Sequence, residues 1–307
     1  MSTAPSSAPQ SGPPALAIVL GLTGVIIFAG TLPATRIGVE VFDPGFLTFA
    51  RAAAAGILAT ATLLVMKRKF PFHHWTALTF AGVTLVFGFP GFMALAMVTV
   101  PSAHGGVVLG ILPLTTAIFA ALWAGERPSA LFWICGIAGA VLVIIYTLRA
   151  GGGKTGTEVG DLWLLLAAVT ASAGYVVSGK LSAHLPGWEV ICWALVLMLP
   201  ASLFATWWLA DPASFVAAET SHWLSFGYVS LFSMFLGFFA WNTGLRMGGL
   251  SRIGQLQLLQ TFFTLAIAAA LLGEAVTFET VLFAVAVLAM VLLGRRARIG
   301  QKSVGQK

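Results

Sequence analysis

Along its length the chain alternates long apolar runs with short polar turns. Uninterrupted apolar stretches of about 20 residues, the length that crosses a hydrocarbon core of about 30 Å, occur ten times. They span 15–35, 44–66, 75–98, 102–123, 130–148, 160–180, 188–209, 222–245, 251–272 and 277–294. No connection between them is long enough to hold a folded soluble domain. A transmembrane barrel would alternate apolar and polar positions in segments of about 10 residues, and that alternation is absent. The pattern predicts an all-α polytopic membrane protein of ten transmembrane helices.

Composition agrees. Hydrophobic residues make up 59% of the 307 positions and charged residues 8%, with a mean hydropathy of +0.96. A soluble domain carries roughly a quarter charged residues. The first 14 residues are rich in Ser, Pro and Ala and lack Lys and Arg. They read as a disordered tail before a retained span, because a secretory signal opens on a basic segment. The last residues, with Arg295, Arg296, Arg298, Lys302 and Lys307, read as a basic tail that anchors topology.

With ten spans both termini share one side of the membrane. That side collects Lys67, Arg68, Lys69, Arg127, Lys180, Arg246, Arg252 and the five tail residues, against Arg36, Arg149 and Lys154 opposite. Basic residues concentrate in cytoplasmic loops, so both termini are expected in the cytoplasm. The sequence pI near 9.8 then follows from topology and gives no reason to expect a nucleic-acid partner. Cys135 and Cys192 both fall within spans, without metal spacing or a disulfide framework.

The sequence also repeats itself. At an offset of 148, Trp75 meets Trp223, Phe87 meets Phe235, Gly106 meets Gly254, Thr116 meets Thr264, and Gly125–Glu126 meets Gly273–Glu274. Earlier in each half the offset shrinks, pairing Pro44–Gly45 with Pro186–Gly187 and Arg36 with Lys180. Five spans per repeat is an odd number, so the second repeat enters the membrane upside down. Inverted repeats of this kind characterise secondary transporters, which bind substrate near the midplane between the halves. No nucleotide-binding domain is present; the string Gly151–Thr155 lacks the first glycine of a phosphate loop, Leu148 standing in its place.

The fourth and ninth spans, GGVVLGILPLTTAIFAALWAGERPS and GQLQLLQTFFTLAIAAALLGEAVT, resemble the repeat of the drug/metabolite transporter superfamily, EamA type. So do FAGTLPATRIG in the first span, Phe49-Ala50-Arg51 in the second and Phe239-Ala240-Trp241-Asn242 in the eighth. The resemblance covers residues about 15–295. It implies a bacterial exporter of amino acids or other metabolites in the cytoplasmic membrane, with ten spans and no cofactor. The organisation it implies is a tail over 1–14, a first repeat over 15–148, a linker over 149–159, a second repeat over 160–295 and a tail over 296–307. In the second repeat the family carries Glu-Pro where this chain has Gln260-Thr261, so an acidic residue has become a neutral amide.

Polar groups inside a membrane are costly and mark candidate function. Arg51 lies a third of the way into the second span; it snorkels, pairs with Asp43 or Glu40, or serves as a gate or anion contact. Glu126 and Glu274 end their spans at equivalent places and either cap a neighbouring helix or couple protons. His104 is an interfacial histidine or a proton sensor. The substrate-binding candidates are Phe28, Thr31, Phe89, Met93, Leu109, Ser172, Tyr175, Phe238, Trp241, Asn242, Gln257 and Gln260. Gln257 and Gln260 share a helical face, and each amide either bonds between helices or lines a cavity. Trp241 is a belt residue or a cavity wall. Pro33, Gly88, Pro90, Gly91 and Pro113 are hinge candidates, because such interruptions free backbone carbonyls that protein or a watery cavity must satisfy. Gly106 and Gly110 allow close helix approach. A mixed aromatic and amide cavity suits a zwitterion or neutral amphiphile, handled by a monomer, with protons as the possible coupling ion. A passive channel, an intramembrane enzyme and a non-transporting assembly protein are the competing classes; no span clusters a nucleophile, a metal set or a carboxylate pair.

Overall fold

The computed structural model describes residues 15–124, 130–150, 157–182, 184–248 and 254–296, and every regular element among them is helical. In chain order the helices are α1 (Ala15–Gly38), α2 (Pro44–Val65), α3 (Phe72–Met97), α4 (102–124), α5 (Ala130–Ala150), α6 (Thr157–Leu181), α7 (Gly187–Trp208), α8 (220–248), α9 (254–272) and α10 (Phe278–Arg296). A short helix, Pro212–Ala217, precedes α8. Seven helices are long and apolar enough to cross a membrane, and the described parts of α5, α9 and α10 form shorter apolar helices. Large apolar side chains cover the outside: Leu64 and Trp207 are each 72% exposed. A surface so apolar belongs in lipid. The chain is a multi-pass membrane protein.

Local chemistry sets the helix ends. Asp43 Oδ1 accepts the backbone N–H groups of Gly45 and Phe46 at 2.8 and 3.0 Å, and Pro44 fills the first helical position of α2; both features satisfy or remove orphan donors. At the end of α9 Gly273 adopts φ 63°, the left-handed turn that glycine takes without a side-chain clash. On Arg51 this is a correction: Asp43 is committed to its cap and Glu40 faces His222 at 3.7 Å, so neither expected acid pairs with the arginine.

Packing obeys a two-fold rule. α2 packs on α7, α4 on α9 and α5 on α10; α1 packs on α8 and α9, and α6 on α3 and α4. Exchanging each helix for the one five places along turns every pair into itself or into another pair. The helices of the two halves are therefore interleaved. Small residues permit the closest crossings: a Cβ on Gly244 would meet the backbone N of Gly21 at 2.8 Å, and one on Gly24 the Cα of Trp241 at 3.0 Å.

Irregular helix falls at repeat-related places. α3 widens to a π-helix over Gly82–Gly88 and α8 over Tyr228–Leu236. α4 tightens to 3-10 over Leu109–Ile111 and α9 over Gly254–Leu259. Gly88, Pro90 and Gly91 thus do not interrupt α3. The π-turn absorbs the proline, with the Phe89 N–H reaching back to the Thr84 carbonyl. The break in α1 falls at Gly30, three residues before Pro33. Proline has no N–H to offer the carbonyl four residues earlier, so the ladder fails in the turn that precedes it. Pro113 follows the 3-10 turn of α4.

Substituting Gly244→Val should lower the thermal midpoint of the detergent-solubilised protein, at a cost of about 1–3 kcal/mol for overpacking against rigid backbone. Gly179→Val, where a Cβ meets nothing within 4 Å, should leave the midpoint within about 1 kcal/mol of wild type.

Candidate functional site

The break in α1 frees the Ala29 carbonyl, and the other half of the chain supplies side-chain donors to it and to the Ile27 carbonyl two residues before. Thr264 Oγ1 of α9 donates to the Ala29 carbonyl at 3.0 Å, the carbonyl opposite the missing N–H of Pro33. Tyr228 of α8 donates its hydroxyl to the Ile27 carbonyl at 2.8 Å. Tyr228 seats its ring against Gly30, where a Cβ would strike it. Gly174, related to Gly30 by the repeat, is covered in the same way by Thr84 and Leu85 of the α3 π-helix.

Two polar features meet at this break. The first is a chain of side chains. Arg51 Nη2 of α2 donates to Ser233 Oγ of α8 at 3.1 Å, and Ser233 Oγ bonds Thr31 Oγ1 of α1 at 2.8 Å. Arg51, Ser233 and Thr31 are all buried. The second is a cleft between α4 and α9. Gln257, Gln260, Thr261 and Thr264 line it, opposite Gly106, Leu109 and Gly110. Gly106 and Gly110 turn toward α9: added Cβ atoms would meet Thr264 Cγ2 at 2.9 Å and Thr261 Oγ1 at 3.2 Å. Leu32, beside Thr31, reaches the same cleft.

Other candidates divide. Phe28 meets Phe238 edge-on, with ring centroids 5.1 Å apart. Met93 and Leu109 lie in one buried apolar cluster against which Phe89 and Tyr175 pack. Ser172, fully buried, bonds Thr115 Oγ1 at 2.6 Å and accepts from Thr116 at 3.3 Å, tying α6 to α4. Trp241 lies outside both polar features, packed with Ala17 and Val25 against α1. Asn242 donates to the Gly187 carbonyl at 3.0 Å and borders a separate depression with Trp188 and Met247. Glu126 lies outside the described residues.

One end of the bundle is tied by charge. Both carboxylate oxygens of Glu274 accept from the start of α4: Oε1 from the Ser102 N–H and hydroxyl at 2.8 and 2.9 Å, Oε2 from the Ala103 N–H at 2.7 Å. A carboxylate at a helix N-terminus satisfies orphan donors and opposes the helix dipole. Two residues on, His104 Nε2 lies 2.6 Å from Asp161 Oδ1 of α6, its ring stacked on Tyr146. Arg36 donates to the carbonyls of Met97 and Val98 at the end of α3. Its repeat counterpart Lys180 donates to the Trp123 carbonyl of α4 at 3.2 Å.

Sequence reasoning passed over Ser233, Asp161, Tyr228 and Thr264. Thr264 was visible as the repeat partner of Thr116. Ser233 was one hydroxyl in an apolar run, with nothing in sequence to link it to Arg51, 182 positions away.

Comparison with known proteins accords with this architecture. The model of the EamA-like transporter family matches residues 15–149 and again 158–294. The chain is similar to the "Uncharacterized transporter YdeK" of Bacillus subtilis, with 45% identity over 90% of this chain and 96% of that protein. It is also similar to the aromatic amino acid exporter YddG of Ancylobacter novellus, 26% identical over 78% of this chain and 83% of the other. A probable terminal-alkyne amino-acid exporter of Streptantibioticus cattleyicolor is 27% identical over 71% and 72%. A protein of known crystal structure shares the fold at a TM-score of 0.62 and 20% identity, over 91% of this chain and 98% of the other. The chain belongs to the EamA-like transporter family, whose named relatives are transporters rather than enzymes.

Thr264→Val keeps the shape of the side chain and leaves the Ala29 carbonyl without its donor. It should destabilise the protein by about 1–3 kcal/mol, the cost of an unsatisfied buried polar group, read as a lower thermal midpoint. Thr264→Ser should retain most of the midpoint.

Proposed function

We propose that this member of the EamA-like transporter family is a secondary transporter that exports a small organic metabolite, an amino acid or a related compound, across the bacterial cytoplasmic membrane by alternating access. In this reading ten spans cross the bilayer, both termini are cytoplasmic, and the repeats over 15–148 and 160–295 have opposite orientations. One chain encloses the site, so the working unit is a monomer.

The observation that carries the reading is the convergence of irregular helix. Two π-segments and two 3-10 segments fall at repeat-related places in helices that pack across the halves, and the α1 break, which α6 lacks, lies among them. Irregular backbone at membrane depth is tolerated where protein or a cavity satisfies it, and carriers place their binding sites at such points. The amide and hydroxyl lining of the α4–α9 cleft, with Phe28 and Phe238 beyond Thr31, suits a solute with polar and apolar ends. The exporters of amino acids among the relatives point to the same class.

The test is counterflow of labelled amino acids and related metabolites in liposomes holding the purified protein, with and without a pH gradient. Saturable, selective exchange is expected; leakage without saturation would support a channel, and no flux from folded protein an assembly role. If protons are coupled, the gradient should act through the partly buried His104–Asp161 pair. His104→Gln should then abolish the effect of the gradient while leaving counterflow within about threefold of wild type.

A further inference from the structure

Arg51 is a buried cation that no counter-charge faces among the described residues. The residue is 3% exposed, Nη2 donates to the Ser233 hydroxyl, and Nε is buried with no partner. The nearby acids are occupied elsewhere, Asp43 with its cap and Glu40 beside His222. Asp161, Glu189, Glu274 and Glu279 are engaged with His104, Arg68, the start of α4 and Arg149. Among the described residues no carboxylate pairs with Arg51. Hydroxyls offer dipoles but no charge, and an arginine in a protein cannot escape by losing its proton. Such a charge is strongly unfavourable away from water unless an anion joins it.

We propose that Arg51, with Ser233 and Thr31, seats a carboxylate of the transported solute. The inference rests on the carrier reading and gives it a chemical class: amino acids and other organic monocarboxylates. The guanidinium presents a planar fork that matches a carboxylate with two parallel hydrogen bonds, and Nε is one unoccupied prong. Phe28, one turn before Thr31, continues the site as an apolar surface together with Phe238. The anchor is single. At the repeat offset of 142 set by Pro44 and Pro186, Arg51 corresponds to Trp193, whose buried Nε1 also has no partner. Its three side chains come from α1, α2 and α8, so a seated anion links the two halves of the chain.

The test uses matched compounds: leucine and phenylalanine, their amides, and their decarboxylated amines isoamylamine and phenethylamine. 4-Methylpentanoate and 3-phenylpropanoate serve as carboxylates without an amine. Thermal stabilisation of purified protein in detergent reads binding, and counterflow in liposomes reads transport. Carboxylates should raise the wild-type midpoint, and amides and amines should not. Arg51→Met should raise the half-saturating carboxylate concentration at least about tenfold, equivalent to about 1.4 kcal/mol. Ser233→Ala should raise it by less, and Arg51→Lys should keep part of the response. Without ligand, Arg51→Met should melt no lower than wild type, because it removes an uncompensated charge.

Stabilisation by carboxylates without flux would uphold the anion seat and sink the carrier reading. Equal flux of acids and amides, unchanged in Arg51→Met, would uphold the carrier and overturn the seat. No stabilisation of wild type by any carboxylate would overturn the seat whatever the flux. So would an Arg51→Met protein that melts lower yet responds to carboxylates as wild type does. Should Arg51→Met fail to fold, the Arg51→Lys and Ser233→Ala responses decide, and carboxylate affinity unchanged in both would overturn the seat.

Discussion

The carbonyl of Ala29 is the constraint around which the centre of this protein is arranged. In lipid no water completes a broken helix, so every freed backbone group must find its partner inside the chain. Pro33 frees that carbonyl, and Thr264, 235 positions later, answers it. Tyr228 answers the neighbouring carbonyl of Ile27 and fills the space left by Gly30. Once α1 is fixed to α8 and α9 in this way, Thr31 meets Ser233 and Ser233 meets Arg51. The polar centre is thus a consequence of how one interruption is repaired.

The two-fold rule extends the same logic. Each half contributes a first helix that packs on the third and fourth helices of the other half. The rule is departed from in the backbone of α1, broken at Gly30 where α6 runs unbroken over Thr157–Leu181, and in side chains. Arg51 has Trp193 for a counterpart, and Arg36 and Lys180 donate to the ends of non-equivalent helices, α3 and α4. In the carrier reading proposed above, a largely symmetric scaffold with an asymmetric lining would let the backbone take two related arrangements while the solute meets one set of groups.

Much of this was legible in the sequence. The helical, multi-pass character required no tertiary knowledge, because apolar run lengths depend on composition averaged over about 20 residues, and the family showed in residues matched between the two repeats. Thr31, Gln257 and Gln260 stood out as polar residues in apolar surroundings, and the structure sets them around the α1 break and its adjoining cleft. The π-segments were not legible. A shift from 3.6 toward a wider turn shows only as a slip in periodicity, and runs such as Tyr228–Leu236 are apolar on every face. The α1 break lies three residues before the hinge candidate Pro33, because proline acts on the turn before it. Trp241 and Asn242 could not be assigned, since adjacent helical positions diverge by about 100° and only the neighbours of α8 decide which one faces the centre.

The interleaving of the halves bears on how the protein is made. Ribosome and translocon deliver α1, α2 and α3 long before α8 and α9 exist. During that interval Arg51 has no Ser233, the Ala29 carbonyl has no Thr264, and Gly24 faces no Trp241. The nascent first half must therefore wait in the bilayer as loosely associated segments, its polar groups shielded by lipid headgroups, water defects or an insertase. Native assembly can finish only after synthesis is nearly complete, so neither half is expected to mature alone.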